Sequence, residues 1–261
     1  MQNLYKIIFL LFFVSCFGAR AQSTIDPDSV IYQRSWEAGA RIRSDGFSLG
    51  AEFTRAKRFK RSMLFQVQFS YFRHPKQVKQ DSPFGSGGIF GSDGFKRFVY
   101  GKQNTLFTLY GGAGQKFLLA EKGKRHGVQL FFKYAAGFSL AILKPYLLEV
   151  VDTSSISNNS FSKTVILGYE PNNPNSLFLD RNYIAGGAGF TKGWKLRFLP
   201  ALHLEVGMEF DWAKNESFIK ALEIGVAADF YYKKVPVMVQ ENKFLYPSVY
   251  AGFMLGRRLQ K

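Results

Sequence analysis

From residue 36 onward the chain alternates apolar and polar positions with a period of two. Trp36, Ala38, Ala40 and Ile42 share one face, and Glu37, Gly39, Arg41 and Arg43 share the other. The next run puts Phe47, Leu49, Ala51 and Phe53 opposite Ser48, Gly50, Glu52 and Thr54. A third sets Met63, Phe65, Val67, Phe69 and Tyr71 against Gln66, Gln68 and Ser70. The pattern returns over 105–119 and 128–143, then at 184–190, 202–212, 222–232 and 249–255. Side chains that alternate in this way belong to β-strands half-buried on one face, and no helical period competes over comparable lengths. Nine firm runs result, and 160–169 is a further candidate. Long polar loops are expected at about 74–104 and 144–182.

Turn chemistry fits hairpins. Asp45-Gly46 divides the first two runs, and Asp-Gly favours a tight two-residue turn. Alternation alone does not say which face points inward, so strand length decides. Runs such as 105–119 far exceed the ~5–6 residues usual in soluble strands, whereas a membrane-crossing strand needs about 9–11. The polar face carries Gly39, Gly50, Gly112, Gly114, Gly137, Gly187, Gly207, Gly225 and Gly252 among isolated charges, which suits a narrow lumen filled by side chains. Aromatic residues gather near run ends, at Tyr71-Phe72, Phe230-Tyr231-Tyr232 and Tyr246, as in an interfacial girdle. The expected fold is all-β: a transmembrane antiparallel up-and-down β-barrel of eight to ten strands. Bacterial single-chain barrels close with an even number, so nine runs require one more or one fewer, and ten is preferred.

Composition changes the picture at the N-terminus. Lys6, the apolar run Ile7 to Val14 and the small residues of Ala19-Arg20-Ala21 read as a secretory signal with Gln22 as the mature start. A lipoprotein box at Phe13-Val14-Ser15-Cys16 is the weaker competitor, because a bulky aromatic stands where a branched aliphatic is usual. The chain is expected to divide into a signal peptide (1–21), an N-terminal periplasmic segment (22–33) and an outer-membrane barrel (34–261), after Sec-type export. Cys16 is the single cysteine, so burial and backbone pairing must supply stability without disulfides. The net charge of +16 favours anionic partners. For an exported chain these are outer-membrane lipid, including lipopolysaccharide, and acidic proteins, with no nucleic acid.

Chemistry-bearing residues are few. His74, His126 and His203 share no metal-ligand spacing, and no metal or cofactor is expected. The glycine clusters at 111–114 and 186–189 do not run into a helix with Lys-Ser/Thr, so neither is a phosphate loop. The polar face gathers Arg41, Arg43, Glu52, Lys116, Lys133, His203, Glu205, Glu209, Asp211, Glu223 and Asp229. Crowded carboxylates can do acid–base work, or they can pair with the cations to offset desolvation. Structural pairing is the preferred reading, and no residue is assigned as catalytic.

Arg43-Ser44-Asp45-Gly46-Phe47, His74-Pro75-Lys76, Tyr100-Gly101-Lys102-Gln103-Asn104, Leu143-Lys144-Pro145, Lys220-Ala221-Leu222-Glu223-Ile224-Gly225 and Lys234-Val235-Pro236-Val237-Met238 occur in this order. In these segments the chain resembles an uncharacterised family of small outer-membrane β-barrels of Bacteroidota. The resemblance implies an outer-membrane location and argues against an enzyme. The functional expectation is a non-catalytic subunit or accessory of an outer-membrane protein export or barrel-assembly complex. The alternatives are a narrow pore for small polar solutes and a lipid- or peptide-processing outer-membrane enzyme.

Overall fold

The computed structural model describes residues 33–58, 60–82, 97–122, 127–151, 164–170, 173, 177–215 and 217–259. The signal peptide expected over 1–21, nearly all of segment 22–33, and His126 lie outside the described residues.

The strands in chain order are β1 (Arg34–Arg43), β2 (Gly46–Arg58), β3 (Arg61–Phe72), β4 (Lys79–Gln80), β5 (Phe98–Val99), β6 (Asn104–Ala120), β7 (Gln129–Pro145), β8 (Leu147–Val151), β9 (Thr164–Gly168), β10 (Ile184–Gly187), β11 (Arg197–Asp211), β12 (Phe218–Tyr231) and β13 (Leu245–Leu259). Eight of them close a barrel in the order β1-β13-β12-β11-β7-β6-β3-β2. Every barrel ladder is antiparallel, and β1 pairs with β13 from Arg34↔Leu259 to Arg43↔Tyr250 to close the seam.

The preference for ten strands is therefore corrected to eight. Among the described residues the candidate at 160–169 contains only the five-residue β9, too short to cross a bilayer. The run at 184–190 yields the four-residue β10, whose residues are all buried and offer no face to lipid. Both join β8 in a separate three-stranded sheet of order β10-β8-β9. The second loop accordingly runs from 146 to 196, longer than 144–182.

The first hairpin forms where Asp45-Gly46 places it, one residue out of step: Ser44 and Asp45 make the turn, and Arg43 pairs with Gly46. Gly46 has φ +148, and a side chain there would strike the Tyr71 carbonyl. Only glycine takes that conformation readily.

Polarity is the inverse of a soluble barrel. Outward positions across the middle of every barrel strand are mostly apolar and exposed, reaching 77% for Ile42 and Phe138. Inward positions are charged and buried, with Glu209, Asp211 and Glu223 at 0%. The two ends also differ. Residues 59–60, 121–128 and 212–217 make short connections at the end where the described chain starts and stops, and 73–103, 146–196 and 232–244 make longer ones at the other, where the two-residue turn Ser44-Asp45 also lies.

The described parts of the long loops fold into a crown over that second end. Phe98, Leu148, Val150, Phe178 and Ile184 form its core, with Tyr100, Tyr146 and Tyr183 packed against them. Loop 232–244 turns inward and covers the mouth. Val235, Val237 and Met238 join Phe72, Leu106, Leu143, Leu199, Tyr231 and Tyr246 in an apolar lid across the barrel. Backbone bonds to Val237 O from Gln103 N (2.9 Å) and Asn104 N (3.2 Å) hold it, as does one from Val239 N to Gly101 O (2.8 Å). Lys76 pairs with Glu241, which adopts a left-handed φ of 63.

Lys102 sits under this lid, its Nζ 5.2 Å from the Tyr146 ring centroid. Burial pushes its ammonium down to about 8, with help from Lys79 and Arg73. Between about 8 and the ordinary value near 10.4 the folded crown binds fewer protons than the unfolded chain. Its stability therefore rises with pH across that window, and the desolvation cost is fully present below it. Amide hydrogen exchange at 101–103 and 237–239, corrected for intrinsic rates, should slow as pH rises through the window. Lys102→Met should flatten that dependence.

Candidate functional site

Alternation aims one residue in two from each strand into the lumen, and the closed register stacks them in tiers. All eleven residues expected on the polar face point inward and are buried.

Arg41 on β1 occupies the middle tier. Its Nε donates to Glu223 (3.0 Å), its Nη1 to Gln68 (2.7 Å) and Glu205 (3.1 Å), and its Nη2 to Glu52. Four strands besides β1 supply these acceptors, so one guanidinium ties most of the barrel wall together. The Tyr250 ring lies 5.1 Å from its Cζ, and Tyr250 Oη donates to Glu205 (3.0 Å). Below it, Lys133 Nζ lies 2.6 Å from Glu52 and 2.7 Å from Glu223. Lys116 Nζ reaches Glu37 (2.9 Å) and Glu209 (2.7 Å). Gln66 Nε2 donates to Glu52 (2.7 Å) and Glu205 (3.2 Å).

Toward the mouth, Arg43 donates to Asp45 (2.9 Å), Asp229 (3.2 Å) and Ser248 (2.8 Å). His203 Nδ1 lies 2.6 Å from Asp229 Oδ1, and the Tyr110 ring, tilted by 42°, has its centroid 4.2 Å from that of the imidazole. At the short-turn end Arg258 Nη2 lies 2.5 Å from Asp211 and 3.0 Å from Gln129. Lys122 is 3.6 Å from Asp211.

Several members were not singled out from sequence. Glu37, Gln66 and Gln68 lie on the same alternating face as Arg41 and Glu52, so the signal was present. Asp45 is legible in sequence only as a turn residue, Tyr250 only as a position within the run 249–255, and Arg258 lies beyond that run. What was illegible is which strand meets which across the lumen, because register around a closed barrel is set by closure and not by local pattern.

The arrangement can do little as an open site. A water-filled channel would leave its lining accessible, yet Arg41, Lys133, Glu205 and Glu223 are at most 3% exposed. The apolar lid closes the mouth, and Leu64, Ile219 and Met254 fill inward positions near the other end. The trios Glu37–Glu52–Glu209 and Glu52–Glu205–Glu223 each bring oxygens within 4.8 Å, a spacing a cation could use. Lys116, Lys133 and Arg41 already supply positive charge at those carboxylates. His203 and Asp229 have the geometry of a base and its orienting acid. Ser139 lies on the same inward face, where its neighbour across the ladder is Ala201. His203 is 1% exposed and Ser139 3%.

Fold and site together define a small, closed, up-and-down barrel with an apolar exterior and a packed ionic interior. No protein-family model and no curated protein matches the chain. Similar solved structures include Ail, the attachment invasion locus protein of Yersinia pestis, at 8% identity and TM-score 0.39, covering 88% of this chain and 100% of that one. Neisserial surface protein A matches at 9% identity and TM-score 0.39, over 88% of this chain and 98% of that one. The N-terminal β-barrel domain of Pseudomonas aeruginosa OprF matches at 8% identity and TM-score 0.36, over 87% and 98%. Likenesses this distant carry no functional inference.

Proposed function

We propose that the chain is an integral outer-membrane barrel. On this reading it is a non-conducting, non-catalytic subunit or accessory of an outer-membrane protein complex, of the export or barrel-assembly kind. Two features support the membrane-spanning orientation. A continuous exposed band of Leu, Val, Ile and Phe around a closed barrel is stable against hydrocarbon and not against water. Closure satisfies the backbone of every barrel strand, which a bilayer interior requires. Short turns at one end and long loops at the other match the periplasmic and extracellular sides of such barrels. The apolar band makes lipid, including lipopolysaccharide on the outer leaflet, the immediate partner.

The observation that carries the non-conducting role is the filled lumen. With the interior occupied by its own ion pairs and capped by Val235 and Val237, the remaining working surface is the exterior, above all the crown. There β9 is an edge strand with exposed Val165 and Ile166, and edge strands accept a partner strand by backbone pairing.

Copurification from native outer membranes in mild detergent, followed by mass spectrometry, tests the complex. Stoichiometric envelope proteins are the expected result, and recovery of the barrel alone would sink the subunit role. Planar-bilayer recording of the purified chain should show no stable conductance steps. Regular single-channel openings would favour the pore instead.

A further inference from the structure

Five consecutive strands around the barrel each turn one basic side chain outward at the short-turn end. These are Lys220 on β12, Arg257 on β13, Arg34 on β1, Arg55 on β2 and Arg61 on β3. All five are exposed, and none makes an ion pair among the described residues. The other three barrel strands present Phe117, Phe132 and Phe210 outward near this end and carry no outward base of their own there. The charge is thus a crescent on one side of the barrel rather than a uniform ring.

Two details separate the crescent from ordinary solvated turns. Arg34 and Arg55 are direct partners across the β1–β2 ladder, and Arg58 and Arg61 are partners across β2–β3. Like charges placed opposite one another destabilise a sheet, and a shared counter-anion relieves that repulsion. The bases also sit at the lower border of the apolar band. On β2 the outward sequence is Phe47, Leu49, Ala51, Phe53 and then Arg55, and on β12 it descends from Phe230 to Leu222 and then Lys220. The Arg61 guanidinium lies 5.7 Å from the Phe117 ring centroid and that of Arg257 5.9 Å from Phe218. Stacking on aromatic rings of the outer wall keeps these cations at the hydrocarbon boundary, level with lipid phosphates, rather than extended into the periplasm.

We propose that this crescent binds anionic phospholipid headgroups of the periplasm-facing leaflet, with phosphates seated between the ladder partners Arg34 and Arg55 and between Arg58 and Arg61. The binding site presupposes the membrane-spanning orientation argued above. Lipid is favoured over an acidic protein because the cations lie on the lipid-facing wall itself.

Trp36 is the natural reporter, since it pairs with Arg257 and lies one outward position above Arg34. With W194F and W212F it becomes the single tryptophan of the chain. The full chain is folded into phosphatidylcholine vesicles containing either brominated phosphatidylglycerol or brominated phosphatidylcholine, and quenching is followed against mole fraction. Brominated phosphatidylglycerol should quench with about a fivefold preference, the worth of roughly one basic residue at an anionic surface. R34Q/R55Q/R61Q should abolish the preference while heat-modifiable gel migration persists. If the triple variant does not fold, R55Q alone must reduce the preference. Equal quenching by both lipids overturns the proposal and leaves the crescent to an acidic protein partner. A preference that survives these substitutions overturns it as well. No quenching by either lipid overturns the membrane-spanning reading, and the site with it.

Discussion

Arg41→Met is expected to destabilise the folded barrel by about 3–5 kcal/mol, the usual cost of removing one partner from a buried ionic cluster. The loss comes less from the vanished bonds than from what stays behind. Glu52, Glu205 and Glu223 remain buried, and Glu205 retains only Gln66, Tyr250 and the nearby His203. Urea unfolding in lipid vesicles, read by tryptophan fluorescence, should show a lowered midpoint, and heat-modifiable migration should weaken. Arg41→Lys should recover little, because an ammonium cannot reproduce the fork that reaches four acceptors. Adding Glu205→Gln and Glu223→Gln to Arg41→Met should recover a good part by removing the stranded charges. An unchanged midpoint for the single variant would refute the central role given to Arg41.

The second large effect is expected at a glycine. Gly207 and Gly225 are cross-strand partners on the inner wall, and the Tyr250 hydroxyl lies 2.5 Å from where a Cβ would sit on either. The two glycines form the floor on which Tyr250 lies flat enough to reach both Arg41 and Glu205. Gly225→Val pushes the ring away and breaks the Tyr250–Glu205 bond at the same time. Overpacking of this kind costs about 1–3 kcal/mol, with the lost hydrogen bond in addition. Gly50→Ala is the matched control, since its nearest neighbour would be the Val67 carbonyl at 3.3 Å, a tight but tolerable approach. If both variants unfold at the starting protein's midpoint, the glycine floor has no packing role.

The eight barrel strands were legible because alternation is a local property, and each run from Trp36 to Leu255 carries it. The inward set was legible for the same reason. Two misreadings share one cause. Ile184, Gly186 and Ala188 alternate in kind with their neighbours, yet the chain there packs into the crown, where both faces are covered and alternation loses its meaning. The 160–169 run likewise belongs to a loop sheet. Pattern distinguishes a wet face from a dry one, but it does not distinguish lipid from another layer of protein. The lid was illegible too. Val235, Pro236, Val237 and Met238 enter the sequence reading only as a segment of the family resemblance, and only three-dimensional closure shows them seated on Phe72 and Tyr246.

The seam between β1 and β13 has a consequence for assembly. Arg41 reaches Glu223 across 182 residues of sequence, and Arg43 reaches Ser248 across 205. While β1 and β2 are the only strands in place, Arg41 has a single carboxylate within reach, Glu52, and its other acidic partners arrive with β11 and β12. An incomplete sheet therefore carries under-neutralised guanidinium groups toward its concave side and an open edge along β1. The last hairpin, β12–β13, pairs the edge and delivers Glu223 and Asp229, the last of the missing charges. Closure is then all-or-none, and a chain truncated before β13 is expected to stall as an unclosed, protease-sensitive sheet rather than settle as a smaller barrel.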